Sequence, residues 1–572
     1  MAKQKKIKLV LCWHMHQPDY RDGLDGEYRL PGVSLQAIKD YTDMVAHLEN
    51  CPQARLVVNF APVLLEQLDD YSAQIRNWLD HGQPMQDWLL NTVAGALPIP
   101  QDLEGRQKIL EACQRCHAPT IIHPLPPFRF LTNVAEKYRK DPKVFQHMLY
   151  YLDEDYYRDL LIWYHLAWMG QSLRRSDHRI QQLMSKAHGF DTNDQRMLLE
   201  IMHDAIAGII PRYRMLMESG QIELSTTPYG HPIVPLLLDF ESAHAAMPDA
   251  PLPKHASYPG GLERARWHMR HGMQVFAEHF GRMPGGIWLS EGAVSSDAIA
   301  LLDEFDIGWT ATGQGVWSNT CKKNGGSING VRCDQAYYRA ASLADKNCAL
   351  FFRDDGLSAL IGFHYKNWQV NAAVSNFAQH LTNIANYLGD SAEQHVVSVI
   401  LDGENAWEYY KDNAYEFLAE LYRKLADHPR VELTTFGDAL GGVSVNQLPS
   451  LCPGSWVYGS FSTWIGEHDK NLGWDILVEA KQAYDLVLAS DRLSQAEQDA
   501  ATAQLSICEG SDWFWWFGDY NPADSVSDFE LLFRHHIQKL YQLLGEPAPQ
   551  ILEQPVSYGG GSMENSGTMR RN

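Results

Sequence analysis

Polar and apolar positions first alternate and then run apolar at Ile7-Lys8-Leu9-Val10-Leu11-Cys12-Trp13, which predicts a buried opening strand. Residues 35–48 carry helical spacing. Arg55-Leu56-Val57-Val58-Asn59-Phe60 predicts a second strand, and 63–71 the helix after it. Strand–helix alternation of this kind marks a parallel α/β sheet or barrel. Between about 71 and 218 the strand patterns vanish. Leu, Met, Gln and charge at helical spacing, broken at Pro98-Ile99-Pro100 and Pro124-Leu125-Pro126-Pro127, predict a mostly helical insertion over the barrel. Strands resume at 221–225, 286–289, 309–311, 349–352 and 396–401. Each ends in residues suited to chemistry, and the C-terminal strand ends of a parallel barrel face its site. Beyond about Gly442 helical patterns dominate, notably over 471–489 and 495–507. From Val556 onward, Gly559-Gly560-Gly561 and the lack of an apolar period predict a disordered tail.

The 572 residues exceed one average domain, and about 150 residues per domain suggests two to four. The pattern divides them into a catalytic barrel over 1–440 that includes the insertion at 71–218, a C-terminal helical domain over 441–555, and the tail at 556–572. A formal charge of -22 excludes nucleic acid as a partner and disfavours an anionic membrane, since no basic stripe exists to offset phosphate repulsion. Neutral sugar polymers fit that balance. The 17 Trp and 26 Tyr serve packing in the main, with a minority available to stack on pyranose faces.

The apolar run behind the basic first residues is too short for a signal segment, and no stretch approaches the roughly 18 apolar residues of a membrane span. A cytoplasmic location is therefore expected. The nine cysteines are odd in number and scattered, so no disulfide framework is expected. Cys113-Gln114-Arg115-Cys116-His117 spells a c-type haem attachment pattern. Without an export signal, and inside a helical pattern, it reads as a chance match. No second Cys/His pair stands at zinc-ligand spacing, and neither metal nor cofactor is expected.

Two strand ends carry the chemistry. Trp288-Leu289-Ser290-Glu291-Gly292 stops an apolar strand at a carboxylate followed by a residue that permits a tight turn. Ile400-Leu401-Asp402-Gly403-Glu404-Asn405-Ala406-Trp407-Glu408 places three carboxylates within seven residues of a very apolar strand. Burying such charge costs several kcal/mol unless it is paired. Each turn could also be a capped helix start. Together they supply one carboxylate each on a common barrel face. Glycoside hydrolysis needs such a pair, one to attack the anomeric carbon and one to protonate the leaving oxygen. The charge of one should raise the pKa of the other. His14 and His16 share one side of the first strand, as hydroxyl donors, zinc ligands or ordinary polar residues at its mouth. A metal would need a further ligand such as His231 or Asp22, and hydroxyl binding is favoured.

Five stretches occur in order: His16-Gln17-Pro18, Gly220-Gln221-Ile222-Glu223, Trp288-Leu289-Ser290-Glu291, the run from Leu401 to Glu408, and Gly510-Ser511-Asp512-Trp513-Phe514-Trp515-Trp516. They resemble the five sequence regions of glycoside hydrolase family 57, in particular its amylopullulanase- and α-amylase-like branch. Ser225-Thr226-Thr227-Pro228-Tyr229-Gly230-His231-Pro232, Ile361-Gly362-Phe363 and Gly459-Ser460-Phe461-Ser462-Thr463-Trp464-Ile465-Gly466 extend the likeness, which covers about 7–545. The resemblance implies an incomplete TIM-like (β/α)7 barrel, a C-terminal helical domain closing one side of the cleft, and double displacement on α-glucan or maltooligosaccharide. By motif position it makes Glu291 the nucleophile and Asp402, rather than Glu404, the acid/base. It also puts His14, His16, Glu223, His231, Trp407 and Asp512 along the substrate. Trp464, Trp513 and Trp515 become stacking platforms or helical-domain core.

The chain departs from that branch at three places. It has Ser34-Leu35-Gln36 for Arg-Leu-His, Leu357-Ser358-Ala359 for Leu-Ser-Asp, and Asn413-Ala414 for Asp-Gly. These changes bear on substrate and rate and leave the carboxylate pair intact. Transglycosylation by the same residues, a glucan-binding protein without catalysis, and a metal-dependent mannosidase or deacetylase are the competing expectations.

Overall fold

The computed structural model describes residues 5–328, 330–562 and 568–569. β1 (Ile7–Met15) pairs in parallel with β2 (Leu56–Phe60), and β2 with β3 (Ile222–Thr226). The next connections are single bridges, Thr226 to Ile287 and Gly286 to Trp309, so residues 286–289 act as a short fourth stave. Trp309 belongs to β4 (Trp309–Thr312), which pairs with β5 (Ala349–Phe352). An Arg353–Ser398 bridge leads to β6 (Val396–Asp402), and β6 returns to β1 over Lys8 to His14. Every step is parallel, and the ring of seven closes: this is the expected (β/α)7 barrel.

The sequence dictates the ring locally. All residues of β1 except Lys8 are buried, because one face meets the barrel interior and the other meets helices. At Gly286 a Cβ would lie 1.9 Å from the Trp309 ring, so only glycine lets the fourth stave meet β4.

Between β2 and β3 the described residues contain helices and no strand, from Pro62–His81 to Thr192–Glu218. The first of these begins with Pro at its first position and ends on Gly82 in the left-handed conformation. The last is opened by a capping box between Asp191 and Asp194. After the barrel come helices His468–Leu488, Gln495–Cys508, Ser511–Trp516 and Ala523–Leu544. Glu509, just past the second of these, accepts from Arg264 Nε at 2.8 Å and from Tyr258 Oη at 2.6 Å. Its other oxygen lies 2.7 Å from His268 Nε2. This buried cluster fastens the C-terminal helices to helix Gly261–Phe280.

Three features run against expectation. Cys321 and Cys333 form a disulfide, because the antiparallel pair Ser327–Ile328 and Val331–Arg332 turns the chain back on itself. Short strands at Val431–Leu433, Ala341–Leu343 and Asn446–Leu448 extend the sheets outside the ring. The tail begins in order: Val556 and Ser557 are buried, the Val556 N–H donating to Glu530 at 2.8 Å and the Ser557 hydroxyl to Asp469 at 2.8 Å. The apolar Val556 and these two carboxylate partners supply what the glycine run lacks. Residues 563–567 and 570–572 of that tail lie outside the described residues.

Candidate active site

Parallel register sets one row of polar residues across the barrel: Asp402 beside His14, His14 beside Asn59, and Asn59 beside Ser225. Asn59 Nδ2 donates to the Ser225 hydroxyl at 2.9 Å, which turns Asn59 Oδ1 toward His14 Nδ1, 2.7 Å away. His14 thus carries its proton on Nδ1 and leaves Nε2 as an acceptor without a partner. This row lies near the C-terminal strand ends, where a parallel barrel builds its site.

Glu291 sits just past the fourth stave with φ 58° and ψ 22°, left-handed backbone that costs a non-glycine residue about 1 kcal/mol or more. Its surroundings hold it there. The Trp456 N–H donates to the Glu291 carbonyl at 3.1 Å, the Thr312 hydroxyl donates to the Gly292 carbonyl at 2.6 Å, and Val294 pairs with Gly454. At Gly292, also left-handed, a Cβ would come within 2.7 Å of the Trp288 ring. The indole Nε1–H of Trp456 donates to Glu291 Oε2 at 2.8 Å.

Glu291 and Asp402 line one cavity of about 180 Å³ together with His14, His16, Gln17, Glu404, Asn405, Trp456, Asp512 and Trp515. Pockets for drug-sized ligands run to about 300–1,000 Å³, so this cavity is small. Burial, with the nearby charge of Asp402, pushes Glu291 up to about 8. Burial also raises Asp402, against the Asn405 amide that donates to it at 3.0 Å. Both carboxyl groups are thus held above their ordinary values, and the two titrate as a coupled pair. Glu404 is raised well above the carboxylate range by burial and by Asp402. One of its oxygens has no partner, while the other faces the His16 N–H and the Gln17 amide.

The three histidines stack. His16 lies 3.8 Å from His231 and 5.5 Å from His14, centre to centre, with ring planes within 19° of parallel. His16 Nε2 is 2.8 Å from Asp512 Oδ1, and His231 Nδ1 is 2.9 Å from the Ser511 hydroxyl. Burial lowers His14 to about 3 and His231 well below its ordinary value. On His16 burial acts the same way, but Asp512, Glu291 and Asp402 overcome it and raise the ring. Of the three rings, His16 is the one whose surroundings favour the protonated form. One nitrogen from each ring falls within 4.8 Å of the others, a spacing that admits a cation. Near-parallel rings do not point their in-plane lone pairs at one centre, which weakens that fit.

Of the residues singled out from the sequence, His14, His16, Glu291, Asp402, Asp512 and Trp515 meet in this cavity. His231 backs His16. Trp513 touches only a neighbouring small void, and its indole donates to the Ile507 carbonyl at 2.9 Å. Trp407 and Trp464 are core: the first donates to the Gly403 carbonyl and packs edge-on against Trp13, and both are at most 1% exposed. Glu223 does not line this cavity: it lies early in β3, where it accepts from Trp309 Nε1 at 2.7 Å and from the Gly437 N–H at 2.9 Å.

Sequence reasoning missed Trp456 and Arg353. Trp456 lies between Gly454 and Gly459 in a loop without apolar period, which gave no sequence signal of its place at the site. Gln36, one of the departures, lines the cavity, and Asn413, another, accepts from the buried Lys39 at 3.2 Å and donates to Asp43 at 3.0 Å. A larger cavity of about 800 Å³ lies beside the disulfide, lined by Trp317, Tyr337, Tyr338 and Tyr387. The smaller one is the candidate site, because buried carboxyl groups with shifted pKa values converge there.

No curated protein matches the chain. Solved structures do, at low identity. A branching enzyme from Pyrococcus horikoshii aligns over 98% of this chain and 99% of its own, with a TM-score of 0.56 and 14% identity. The α-amylase AmyC from Thermotoga maritima aligns over 96% of each chain, with a TM-score of 0.56 and 13% identity. A branching enzyme from Thermococcus kodakaraensis, in complex with glucose, covers 94% of this chain and 90% of its own at TM-score 0.54 and 15% identity. At such identities the likeness concerns the fold. The model of glycosyl hydrolase family 57 matches residues 10–451, most of the chain and all of the barrel that carries Glu291 and Asp402, and the protein belongs to that family.

Proposed function

We propose that the protein is a retaining glycoside hydrolase of α-1,4-linked glucans, with α-1,6 linkages as a second substrate to be tried. The observation that carries this reading is the buried pair Glu291 and Asp402, on separate strand ends, lining one small cavity. In the first step the Glu291 carboxylate attacks the anomeric carbon while the Asp402 carboxyl group gives its proton to the glycosidic oxygen. The C–O bond breaks and a glycosyl ester forms on Glu291. In the second step Asp402, now a carboxylate, takes a proton from water, whose oxygen displaces Glu291 from the sugar. His14, with a bare Nε2, accepts from a sugar hydroxyl, and His16 and Asp512 hold the same sugar from the other side. Trp515 offers a stacking face at the mouth. Glu223, Trp407, Trp464 and Trp513 have no such part in this reading.

The barrel is the catalytic unit and the C-terminal helices wall one side of the cleft. Among the described residues no helix is long and apolar enough to cross a membrane. The cytoplasm is the proposed location on the strength of the sequence reading, and the Cys321–Cys333 disulfide weighs against it.

Purified protein incubated with maltoheptaose tests the reading. Reducing ends should rise. Redistribution into longer oligomers without that rise would instead make it a transglycosylase with the same pair. Glu291→Gln and Asp402→Asn should each lose roughly 10³-fold or more of kcat. Equal background turnover in wild type and both variants, with glucan still bound, would leave only a binding protein.

A further inference from the structure

Glu291 is gripped twice by one residue. The backbone N–H of Trp456 meets its carbonyl, and the indole Nε1–H meets its Oε2 at 2.8 Å. Trp456 is itself clamped. Its ring stands edge-on to Trp288, on the stave that leads into Glu291, with centres 5.1 Å apart. The Arg353 guanidinium lies 5.2 Å from the centre of its ring. Arg353 is buried, donates from Nε to the Ile400 carbonyl at 2.7 Å, and pairs with Asp355 at 2.6 Å. Ile400 is two residues before Asp402 on β6. One chain of contacts, Glu291 to Trp456 to Arg353 to β6, thus ties the two carboxylate-bearing staves across the mouth of the barrel.

We propose that Trp456 is the positioning residue for the nucleophile: it fixes Oε1 of Glu291 as the free, attacking oxygen and holds the proton of the pair on Asp402. The inference rests on the retaining reading above. An indole N–H can only donate, so a carboxylate accepts from it more strongly than a neutral carboxyl group does. Its presence at Oε2 therefore favours the Glu291 anion, against the burial and the Asp402 charge that raise this carboxyl group to about 8, and shifts the proton of the pair toward Asp402, the distribution that the first step requires. Arg353 acts through the Trp456 ring and the Ile400 carbonyl, keeping the spacing between the staves.

Trp456→Phe keeps the ring contact with Trp288 and removes the donor; Trp456→His keeps a ring N–H on a shorter arm. Both are compared with wild type, Glu291→Gln and Asp402→Asn, using maltoheptaose and an aryl α-maltoside whose leaving group needs no protonation. Removing one preorganised donor costs on the order of 10²–10³ in kcat. The expectation for Trp456→Phe is a loss of that order on both substrates, KM within about threefold, and an acid limb of the kcat profile, where Glu291 gains its proton, moved to higher pH. Trp456→His should recover part of kcat. A folded Trp456→Phe protein with wild-type kcat and an unmoved limb, while Glu291→Gln is dead, overturns the positioning role alone. If Trp456→Phe does not fold, Trp456→His decides, and an unmoved limb there overturns it. If Glu291→Gln and Asp402→Asn keep wild-type activity, the retaining reading falls instead.

Discussion

His16 on the first barrel strand end and Asp512 on helix Ser511–Trp516 stand 2.8 Å apart, so a residue from each half of the chain completes the wall of the cavity. Asp512 is also the strongest influence keeping His16 protonated against its burial. Hydrogen bonds to charged groups contribute about 1.5–3 kcal/mol. Asp512→Asn should therefore cost about 10- to 100-fold in kcat/KM on maltoheptaose. Initial rates at fixed pH check this, and a change within twofold would leave the pair without a role in turnover.

The carboxyl pair sets the pH dependence. The active form carries one proton, with Glu291 ionised and Asp402 protonated. Below the lower pKa of the pair both are neutral and no nucleophile exists; above the higher one both are ionised and no acid exists. Burial places the upper value at about 8, so the alkaline limb of kcat/KM should fall near there, and the acid limb should stand above an ordinary aspartate. In Asp402→Asn the charge that helps to raise Glu291 is gone. Its limb, read with an aryl glycoside that needs no acid, should move to lower pH. An upward move would contradict the coupling.

Residues 568 and 569 lie against the site. Thr568 lines the cavity and its carbonyl accepts from Asn405 Nδ2 at 3.5 Å, the same amide that donates to Asp402. Met569, 6% exposed, lies beside Asp402, Trp456 and Phe363. Sugar binding there must displace it. A competing contact of about 1 kcal/mol corresponds to about fivefold in affinity. A protein ending at Ser562 should show KM for maltoheptaose lowered by about that factor with kcat unchanged. An unchanged KM would show that the segment does not compete.

The Glu509 cluster bears on stability. Burial alone would raise its carboxyl group, yet Arg264 and His268 hold it at about 2, below its ordinary 4.5. A depressed carboxylate stabilises the fold above its unfolded pKa, and that contribution fades as pH falls through the folded value. Glu509→Gln should cost about 3–5 kcal/mol in urea unfolding at pH 7, because it strips the buried Arg264 of its partner. The gap from wild type should narrow between pH 4.5 and 2. A gap independent of pH would mean that packing, not charge, is what the glutamate supplies.

All seven barrel staves were legible, because strands buried on both faces write long apolar runs that end in polar residues. Glu291 and Asp402 were legible for the same reason: a charge stands out where such a run stops. Glu223 was placed along the substrate by motif position, while as the second residue of β3 it stands two positions before the polar row at Ser225. Trp407 and Trp464 could not be told from stacking platforms, since an indole looks the same in a core as in a cleft. Trp456 was out of reach because its contact with Glu291 spans 165 residues and depends on a loop with no periodicity. The disulfide was hidden for a similar reason, since a short hairpin, not a cysteine pattern, brings its halves together.

The stave bearing Glu291 is joined to each neighbour by a single bridge, while β1 and β6 share a ladder over seven successive positions. Glu291 is thus mounted on the most loosely laced part of the ring and steadied from outside by the loop at 454–456. Sequence drift in that loop can retune the attacking group while the barrel stays as it is, which gives one scaffold a way to diversify its sugar chemistry without rebuilding its core.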